Sequence, residues 1–348
     1  MRRHFLEFKQ SLHAAAGLDP TAGAATANTS APRIAVLGSI NVDLVFSVGR
    51  MPLTGETLAG NDFRQVSGGK GANQAVAAAR QGGEVRFIGM VGADGFGSAA
   101  LRALVADGID CSAIGIADLP TVVAGIVVDA AGSNRIVVVA GANAALTVER
   151  VEAAASQITS SSWLVCQMES PPASVARAFE LAREAGVRIV FNPAPAPGQL
   201  PDHLLAGVDV LVVNETEAGQ LARLAVTDAA SAAAAAALLR ARGAAIVLVT
   251  MGEHGVLVAD GAATGARLLP ALRVDAVDTT AAGDTFVGAL TVALGRGAAI
   301  DEAVGDGQAA AAVSVTRMGA QSSIPTRAEM LQIKYGVGAA DAHAAPAS

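Results

Sequence analysis

Residues 163–167 read WLVCQ, residues 187–192 VRIVFN, residues 208–213 VDVLVV and residues 245–250 AIVLVT. These four apolar runs are separated by helical patterns, over residues 173–185, 215–224 and 229–242. Nearly continuous apolar runs of this length are typical of parallel strands that are buried on both faces of a sheet. The alternation therefore predicts an α/β fold with a doubly wound, mostly parallel sheet flanked by helices.

The same alternation of strand-like and helical patterns begins nearer the N-terminus, and two stretches interrupt it. Strand-like and helical patterns alternate over residues 33–37, 74–81, 85–90 and 97–107. Residues 44–66 and 121–139 have no crossover helix, and VVAGIVVD (122–129) and RIVVVA (135–140) flank a turn typical of a hairpin. We expect a small, separate sheet that acts as a lid. The alternative is an antiparallel extension at the edge of the main sheet.

The two ends of the chain differ from its body. Residues 1–32, which end in the small-residue run TAGAATANTSAP, and residues 337–348 are predicted to be disordered, which leaves residues 33–336 as the folded domain. The N-terminal stretch MRRHFLEFKQSLHAAAG lacks the apolar region of a secretory signal. No segment approaches about 18 uninterrupted apolar residues, so we expect no membrane span.

Composition narrows the class of partner. The formal net charge is −7 and no basic stripe is present, which argues against a nucleic-acid backbone as partner. Cys111 and Cys166 stand alone, without C-x-x-C or Cys/His spacing. Neither a disulfide framework nor a structural zinc site is indicated, and a reduced cytoplasm is the expected location.

The run DTTAAGDTF (278–286) places two carboxylates around a turn of small residues that opens a predicted helix over residues 286–294. The first N–H groups of a helix have no intrahelical acceptors and lie at the positive end of its dipole, so they suit a phosphate. Asp284, at the rim of such a site, is a candidate general base for phosphoryl transfer. The alternative is that Asp284 only caps the helix.

Two further motifs follow predicted strands. GSINVD (38–43) offers Asn41 and Asp43, a donor–acceptor pair suited to the hydroxyls of a polyol, although both residue types also form turns. SGGKGAN (67–73) places three glycines around Lys70 at the start of a helix and is interpreted as a ligand cradle. It is not a Walker A loop, because Lys70 is followed by glycine rather than Ser or Thr.

Polar residues also lie at or just after the ends of the four runs quoted above, and together they predict a pocket at one edge of the sheet. They are Glu169, Asn192, the NETE segment (214–217) and the TMGEHG segment (250–255). Asn214 and Glu217 also have the spacing of a helix cap. A dinucleotide-dependent oxidoreductase is disfavoured, because the first strand is not followed by G-x-G-x-x-G.

From about Arg33 to about Ala328 the chain resembles the ribokinase family of carbohydrate kinases, the PfkB group. The motifs that carry the resemblance occur in the order of the family: GSINVD (38–43), GGKGANQAVAAAR (68–80), AGANAAL (140–146), NPAPA (192–196), NETEA (214–218), TMGEHG (250–255), VDTTAAGDTF (277–286) and VTRMGAQSS (315–323). The GGKGAN form favours a ribose-phosphorylating member over the adenosine, fructose and ketodeoxygluconate kinases of the family.

The resemblance implies ATP-dependent phosphorylation of D-ribose at its 5-hydroxyl. Asp284 would be the general base, and the N–H groups of Ala281, Ala282 and Gly283 would form an anion hole. The implied sugar-binding residues are Asn41, Asp43, Gly69, Lys70, Asn73, Glu169 and Asp284. The implied nucleotide-binding residues are Asn214, Thr250, Gly252, Gly255, Gly283 and Gln308. The family pattern leads us to expect His or Asn beside the adenine, and Gln308 departs from that pattern.

The resemblance also implies two cations and a homodimer. Glu217 would organise water around Mg²⁺. K⁺ would be held by Asp278, Thr280, Ser314, Arg317, Gly319 and Ser323. The lid sheets of two copies would pair in the dimer.

Two alternatives remain open from the sequence. One is a kinase of the same family that acts on 2-deoxyribose or on another pentose or nucleoside, since discrimination rests on a few hydroxyl contacts. The other is a non-catalytic sensor of sugar or nucleotide on the same fold. The intact Asp284, Gly283 and Glu217 argue against the sensor, because binding alone needs no base.

Overall fold

The computed structural model describes Glu7, residues 31–262 and residues 265–336. The predicted disorder of the N-terminal extension, except at Glu7 and residues 31–32, and of residues 337–348 therefore concerns positions that lie outside the described residues. None of the described helices is long and apolar enough to cross a membrane.

Nine strands of the described chain form one large sheet. In chain order they are β1 Arg33–Leu37, β4 Glu84–Gly92, β5 Ile114–Ala117, β8 Trp163–Cys166, β9 Arg188–Phe191, β10 Val210–Asn214, β11 Ile246–Thr250, β12 Val256–Ala259 and β13 Arg267–Leu269. Their order across the sheet is β13-β12-β11-β10-β9-β8-β1-β4-β5. The seven strands from β11 to β5 pair in parallel, and β12 and β13 are antiparallel additions at one edge. The predicted mostly parallel sheet is confirmed.

The lid is a separate sheet of four described strands, as expected, and not an extension of the main sheet. Its strands are β2 Asn41–Ser47, β3 Asp62–Gly68, β6 Val122–Val128 and β7 Asn134–Val139, in the order β3-β2-β6-β7. Strands β6 and β7 form the predicted hairpin. The first lid strand begins at Asn41 rather than near residue 44, because Asn41 already pairs with Gly68 on one side and Val122 on the other.

Helices cover both faces of the main sheet. In the described chain they are α1 Lys70–Arg80, α2 Gly95–Ala106, α3 Val148–Ala153, α4 Ala155–Thr159, α5 Pro172–Glu184, α6 Asp202–Leu205, α7 Glu215–Ala222, α8 Ala229–Ala241, α9 Ala282–Gly295, α10 Ile300–Val315 and α11 Arg327–Tyr335. One face buries residues such as Phe179 of α5 and Leu239 of α8, and the other buries Val76 of α1 and Leu290 of α9. The sheet is therefore doubly wound.

Candidate active site

Asp284 lies in the first turn of α9 and is 6% exposed. The helix begins at Ala282, four residues before the predicted start, so Asp284 is its third residue. Its carboxylate does not cap the helix: Oδ2 accepts a hydrogen bond from Asn73 Nδ2 at 3.0 Å, and Oδ1 accepts one from Gln74 Nε2 at 2.9 Å. The capping interpretation of Asp284 is therefore wrong, because Ala281 is the N-cap residue and has no side-chain oxygen.

The surroundings of Asp284 act on its proton affinity in opposite directions. Burial raises the pKa of Asp284, while the Lys70 ammonium and the amides of Asn73 and Gln74 act to lower it, and the Glu169 carboxylate acts to raise it. The net effect is a raised pKa. A carboxylate of this kind binds a proton more readily than a solvated one, which suits a general base.

The turn before α9 is strained and exposes backbone. Ala281 has φ 60° and ψ 11°, in the left-handed region that residues with a Cβ rarely occupy. The amide of Ala282 donates to the Thr279 carbonyl at 3.2 Å. The N–H of Gly283 belongs to the first turn of the helix, which lacks intrahelical acceptors, and a Cβ on Gly283 would meet no atom within 4 Å outside its chain neighbours and its own helix backbone. Of the predicted anion hole, Gly283 is the most accessible member, and Ala282 is engaged within the turn.

Two cavities meet at this turn. The larger, about 690 Å³, is lined by Gly252, Gly255, Gln308 and neighbouring residues. The smaller, about 200 Å³, is lined by Lys70, Asn192, Asn214, Glu217 and Asp284, among others. Both cavities share the lining residues Thr250, Thr279, Ala282 and Gly283. The structure therefore brings the six predicted nucleotide-binding residues to one continuous cleft that leads to Asp284, and its larger part has the size of a small-molecule site.

Gln308 is oriented by the loop opposite its helix. Its Nε2 donates to the carbonyls of Leu269 and Pro270, each at 3.1 Å. Because the amide nitrogen is used within the protein, Oε1 is the polar atom that remains for a ligand.

The predicted sugar-binding residues lie where the main sheet meets the lid. Glu169 Oε2 accepts hydrogen bonds from the Ser39 hydroxyl at 2.5 Å and from the Lys70 amide at 3.0 Å. Burial and the nearby Glu169 carboxylate raise the pKa of Asp43 on the lid strand β2. Asp43 and Glu169 therefore lie close enough for their charges to interact. Two acceptors in proximity are suited to the donor groups of a polyol.

Gly69 holds the cradle against the first strand of the lid. Its φ is 92°, and a Cβ there would lie 2.8 Å from both the Asn41 nitrogen and the Ser39 oxygen. Only glycine fits this position without a shift of the backbone. The conformation lets the residue before Lys70 pack directly against the backbone at the start of β2.

Asn214 and Glu217 form the helix cap that the sequence predicted. The Asn214 side chain accepts a hydrogen bond from the Glu217 amide at 2.8 Å, and Glu217 Oε2 accepts one from the Asn214 amide at 3.0 Å. Both residues also line the smaller cavity. Burial raises the pKa of Glu217, although the Asn214 amide and the Lys70 ammonium act to lower it. The cap thus fixes a carboxylate at the cleft.

Asp278 organises the loop that was predicted to hold K⁺. Its Oδ1 accepts hydrogen bonds from the Thr280 amide at 2.9 Å and the Thr280 hydroxyl at 2.6 Å, and its Oδ2 accepts one from the Gly319 amide at 2.9 Å. Burial acts to raise the pKa of Asp278, but these hydrogen bonds and the charge of Arg64 lower it overall.

The other predicted ligands of K⁺ lie on the adjoining segment. The hydroxyls of Ser314 and Ser323 are 2.8 Å apart, and the Arg317 amide donates to the Ser314 carbonyl at 3.1 Å. The donor set offers one carboxylate and several neutral oxygens. Among the described residues, no group of three or more His, Cys, Asp or Glu side chains could hold a metal ion. This set fits a hard monovalent cation, which carbonyl oxygens bind by replacing water.

Comparison with known proteins shows the family to which the chain belongs. The model of the pfkB family carbohydrate kinases matches residues 31–327. The chain belongs to this family of kinases. A ribokinase from Haemophilus influenzae is 44% identical over 300 residues, which cover 86% of this kinase and 97% of that protein. A deoxyribokinase from Salmonella typhi is 37% identical over 303 residues, which cover 84% of this kinase and 95% of that protein.

The fold of this kinase is also that of solved ribokinase structures. The structure of Arabidopsis thaliana ribokinase complexed with ribose and ATP has a TM-score of 0.81 and 28% identity, and the match covers 88% of this kinase and 99% of that chain. Predictions of the family and of the fold class are confirmed.

The structure adds polar residues of this kinase that the sequence did not single out. Ser39 binds Glu169, and Asn143 donates to Asn41 Oδ1 at 2.8 Å. Gln74 binds Asp284. All three lie inside the motifs quoted above, and Gln74 is the one polar residue of the alanine-rich stretch QAVAAA (74–79). That contrast was the available signal.

Proposed function

We propose that this kinase transfers the γ-phosphoryl group of ATP to the 5-hydroxyl of D-ribose, giving ribose 5-phosphate and ADP. The observation that carries the proposal is the position of Asp284, a buried, hydrogen-bonded carboxylate that lines the smaller cavity beside the turn where the two cavities meet. The similarity to a ribokinase and to a ribokinase complexed with ribose and ATP supports the choice of substrates.

In this reaction Asp284 takes the proton of the 5-hydroxyl as its oxygen bonds to the γ-phosphorus. The bond from the γ-phosphorus to the bridging oxygen breaks, and ADP leaves with that electron pair. The raised pKa of Asp284 favours proton transfer to it. Lys70 and the Gly283 amide provide positive charge and a hydrogen-bond donor beside the smaller cavity, where the transferring group would pass.

The sugar would be held between the lid and the main sheet. Its hydroxyl groups would form hydrogen bonds with Asn41, Asp43 and Glu169. The rest of the cradle consists of Gly69, Lys70 and Asn73. Asn73 supports this role, because its Oδ1 is buried and has no hydrogen-bond partner among the described residues. A buried acceptor without a donor is unfavourable, and a sugar hydroxyl would supply the donor.

Glu217 would hold Mg²⁺ through water, since Mg²⁺ prefers oxygen ligands and keeps several waters. When bound, Mg²⁺ neutralises charge on the phosphates. The loop of Asp278, Thr280, Ser314, Arg317, Gly319 and Ser323 would hold K⁺, which supplies a fixed positive charge beside the turn. Both cations are proposals that rest on the donor sets described above.

We further propose that the lid sheets of two copies pair in a homodimer. Strand β7 lies at the edge of the lid, and its apolar residues Ile136, Val137, Val138 and Val139 are 54%, 70%, 61% and 53% exposed. An exposed apolar edge strand with unpaired backbone groups is normally covered. A second copy of the same strand supplies matching backbone groups and apolar side chains.

The second candidate substrate is 2-deoxyribose, which the similarity to a deoxyribokinase favours. The test is release of ADP with D-ribose or 2-deoxyribose as sole acceptor, in the presence of Mg²⁺ and K⁺, for the wild-type kinase and for Asp284→Asn. We expect turnover with D-ribose that falls about 10²–10⁴-fold in the variant. Preference for 2-deoxyribose would replace the proposed substrate. Folded protein that binds ATP and turns over no sugar or nucleoside would favour the sensor.

A further inference from the structure

Buried side-chain amides form a chain that ends at Asp284. Asn192 Nδ2 donates to the Val212 carbonyl at 2.9 Å. Gln74 Nε2 donates to Asn192 Oδ1 at 3.1 Å and to Asp284 Oδ1 at 2.9 Å. Gln167 Nε2 in turn donates to Gln74 Oε1 at 2.6 Å. Gln74 therefore uses both ends of its amide, and it is fully buried.

The direction of every amide in this chain is fixed. The Val212 carbonyl can only accept, so Asn192 must turn its nitrogen to it and its oxygen to Gln74. A flipped Gln74 would set its oxygen against two other oxygens, Asn192 Oδ1 and Asp284 Oδ1. The network thus holds an N–H of Gln74 on Asp284 whether or not a ligand is present.

We propose that Gln74 is a positioning residue for phosphoryl transfer, which holds Asp284 Oδ1 so that the carboxylate stays ionised and fixed at the cleft. The proposal rests on the function proposed above. Among the described residues, the lining of the smaller cavity includes Asn192 and Asp284 but not Gln74. Gln74 therefore acts through Asp284 and not on a substrate. A hydrogen bond to the ionised form of a buried carboxylate favours that form.

Other groups act on Asp284 as well. Lys70, at the start of α1, favours its ionised form, and Glu169, after β8, disfavours it. Asn73 donates to its other oxygen, and Glu217 lines the same cavity. All four remain in a Gln74 variant, so a comparison of variants isolates the contribution of Gln74.

The experiment compares Gln74→Met with Gln167→Met across about pH 5.5–9.5, with kcat and KM measured for sugar and ATP. Gln74→Met removes the donor to Asp284 at similar volume. Gln167→Met breaks the same network but leaves that donor in place. We expect kcat of Gln74→Met to fall about tenfold more at the acidic end than at the alkaline end. The reason is that loss of a hydrogen bond to a charged carboxylate raises the pKa of that group by about one unit or more. Both KM values should change much less than kcat.

In Gln167→Met the acidic limb of the kcat profile should stay where it is in the wild type. A loss in Gln74→Met that is uniform across pH, or an equal displacement of the limb in both variants, would show a merely structural role and overturn the proposal.

A second readout needs no turnover. The free energy of unfolding in urea is measured for each background with and without Asp284→Asn, and the difference is followed against pH. Its midpoint reports the titration of Asp284 in the folded protein. We expect the midpoint to move to higher pH in Gln74→Met and not in Gln167→Met. An unmoved midpoint overturns the role of Gln74, whereas an absence of sugar phosphorylation by the wild type overturns the proposed function alone.

Discussion

Gly288 of α9 lies against Ala77 of α1 so closely that a Cβ on Gly288 would be 2.4 Å from the Cβ of Ala77 and 2.7 Å from the Gln74 carbonyl oxygen. One turn earlier on α9, Asp284 receives the hydrogen bonds of Asn73 and Gln74. The glycine sets the separation of the two helices. That separation in turn lets the amides of α1 reach the carboxylate on α9.

We expect Gly288→Ala to lower both stability and turnover. The added methyl group has no space between the helices, and overpacking of this kind costs about 1–3 kcal/mol. Separation of the helices also lengthens the hydrogen bonds to Asp284, so kcat should fall while KM for ATP changes little. The measurements are urea unfolding and steady-state kinetics.

Gly305 provides the matched control, because it lies in helix α10 and an added Cβ would make only ordinary contacts with Lys334, at 3.6 Å or more. Gly305→Ala should stabilise the protein by about 0.5–1 kcal/mol, through the higher helix propensity of alanine. Equal effects of the two substitutions would contradict the packing role of Gly288.

The raised pKa of Asp284 has a consequence for stability. A carboxyl whose pKa is higher in the folded than in the unfolded protein contributes stability that is fully present below the unfolded pKa and is lost as pH rises through the folded pKa. Asp284→Asn cannot titrate. The free energy of unfolding of this variant, relative to the wild type, should therefore increase as the pH is raised from about 4 towards neutrality.

Glu329 is the control of opposite sign. Although burial opposes the shift, hydrogen bonds from Arg317 and Thr326 lower the pKa of Glu329 to about 2. Its contribution to stability is present above the unfolded pKa and is lost as the pH falls towards 2. The relative stability of Glu329→Gln should therefore decrease as the pH rises out of the acid range. If the two variants responded to pH in the same sense, the assignment for Asp284 would be wrong.

The main sheet was predictable because its central strands are buried on both faces and read as continuous apolar runs. Strand β1 has the predicted bounds Arg33–Leu37. The start of α9 was not predictable, because the turn before it contains Ala281 in a left-handed conformation. Nothing in the sequence predicts that conformation for an alanine. The start of β2 was missed because Asn and Asp more often form turns than strands.

The candidate site was predictable to the extent that its residues follow strands or open helices. Asp284, Lys70, Asn214 and Glu217 meet at the cleft for that reason. The link from Gln74 to Gln167 and Asp284 was not predictable, because Gln74 lies 93 positions from Gln167 and 210 positions from Asp284, and both glutamines are isolated polar residues in apolar stretches. Such contacts depend on how helices pack on the sheet.

Replacement of K⁺ by a large organic cation such as tetramethylammonium should lower turnover sharply. The carbonyl and hydroxyl oxygens around Asp278 are suited to a small hard cation, and its positive charge would lie beside the turn that carries Gly283. The measurement is kcat with D-ribose at constant ionic strength.

Asp278→Asn tests whether this response arises at the proposed loop. The variant keeps an acceptor oxygen but loses the only carboxylate in the set, so its turnover should be low and insensitive to K⁺. An unchanged response to K⁺ in Asp278→Asn, or full activity of the wild type in tetramethylammonium, would exclude this loop as the site of activation.

Substitution at the lid edge should dissociate the proposed dimer. Val137 is 70% exposed on strand β7, and Val137→Glu would place a charge inside an interface formed by two copies of that strand. The mass of the wild type in light scattering should be twice that of the chain, and the variant should have the mass of one chain at the same concentration. Leu268→Glu is the control, because Leu268 is 40% exposed on β13, at an edge of the main sheet. It should leave the mass unchanged. A monomeric wild type would overturn the proposed dimer, and a dimer that survives Val137→Glu would place the interface elsewhere.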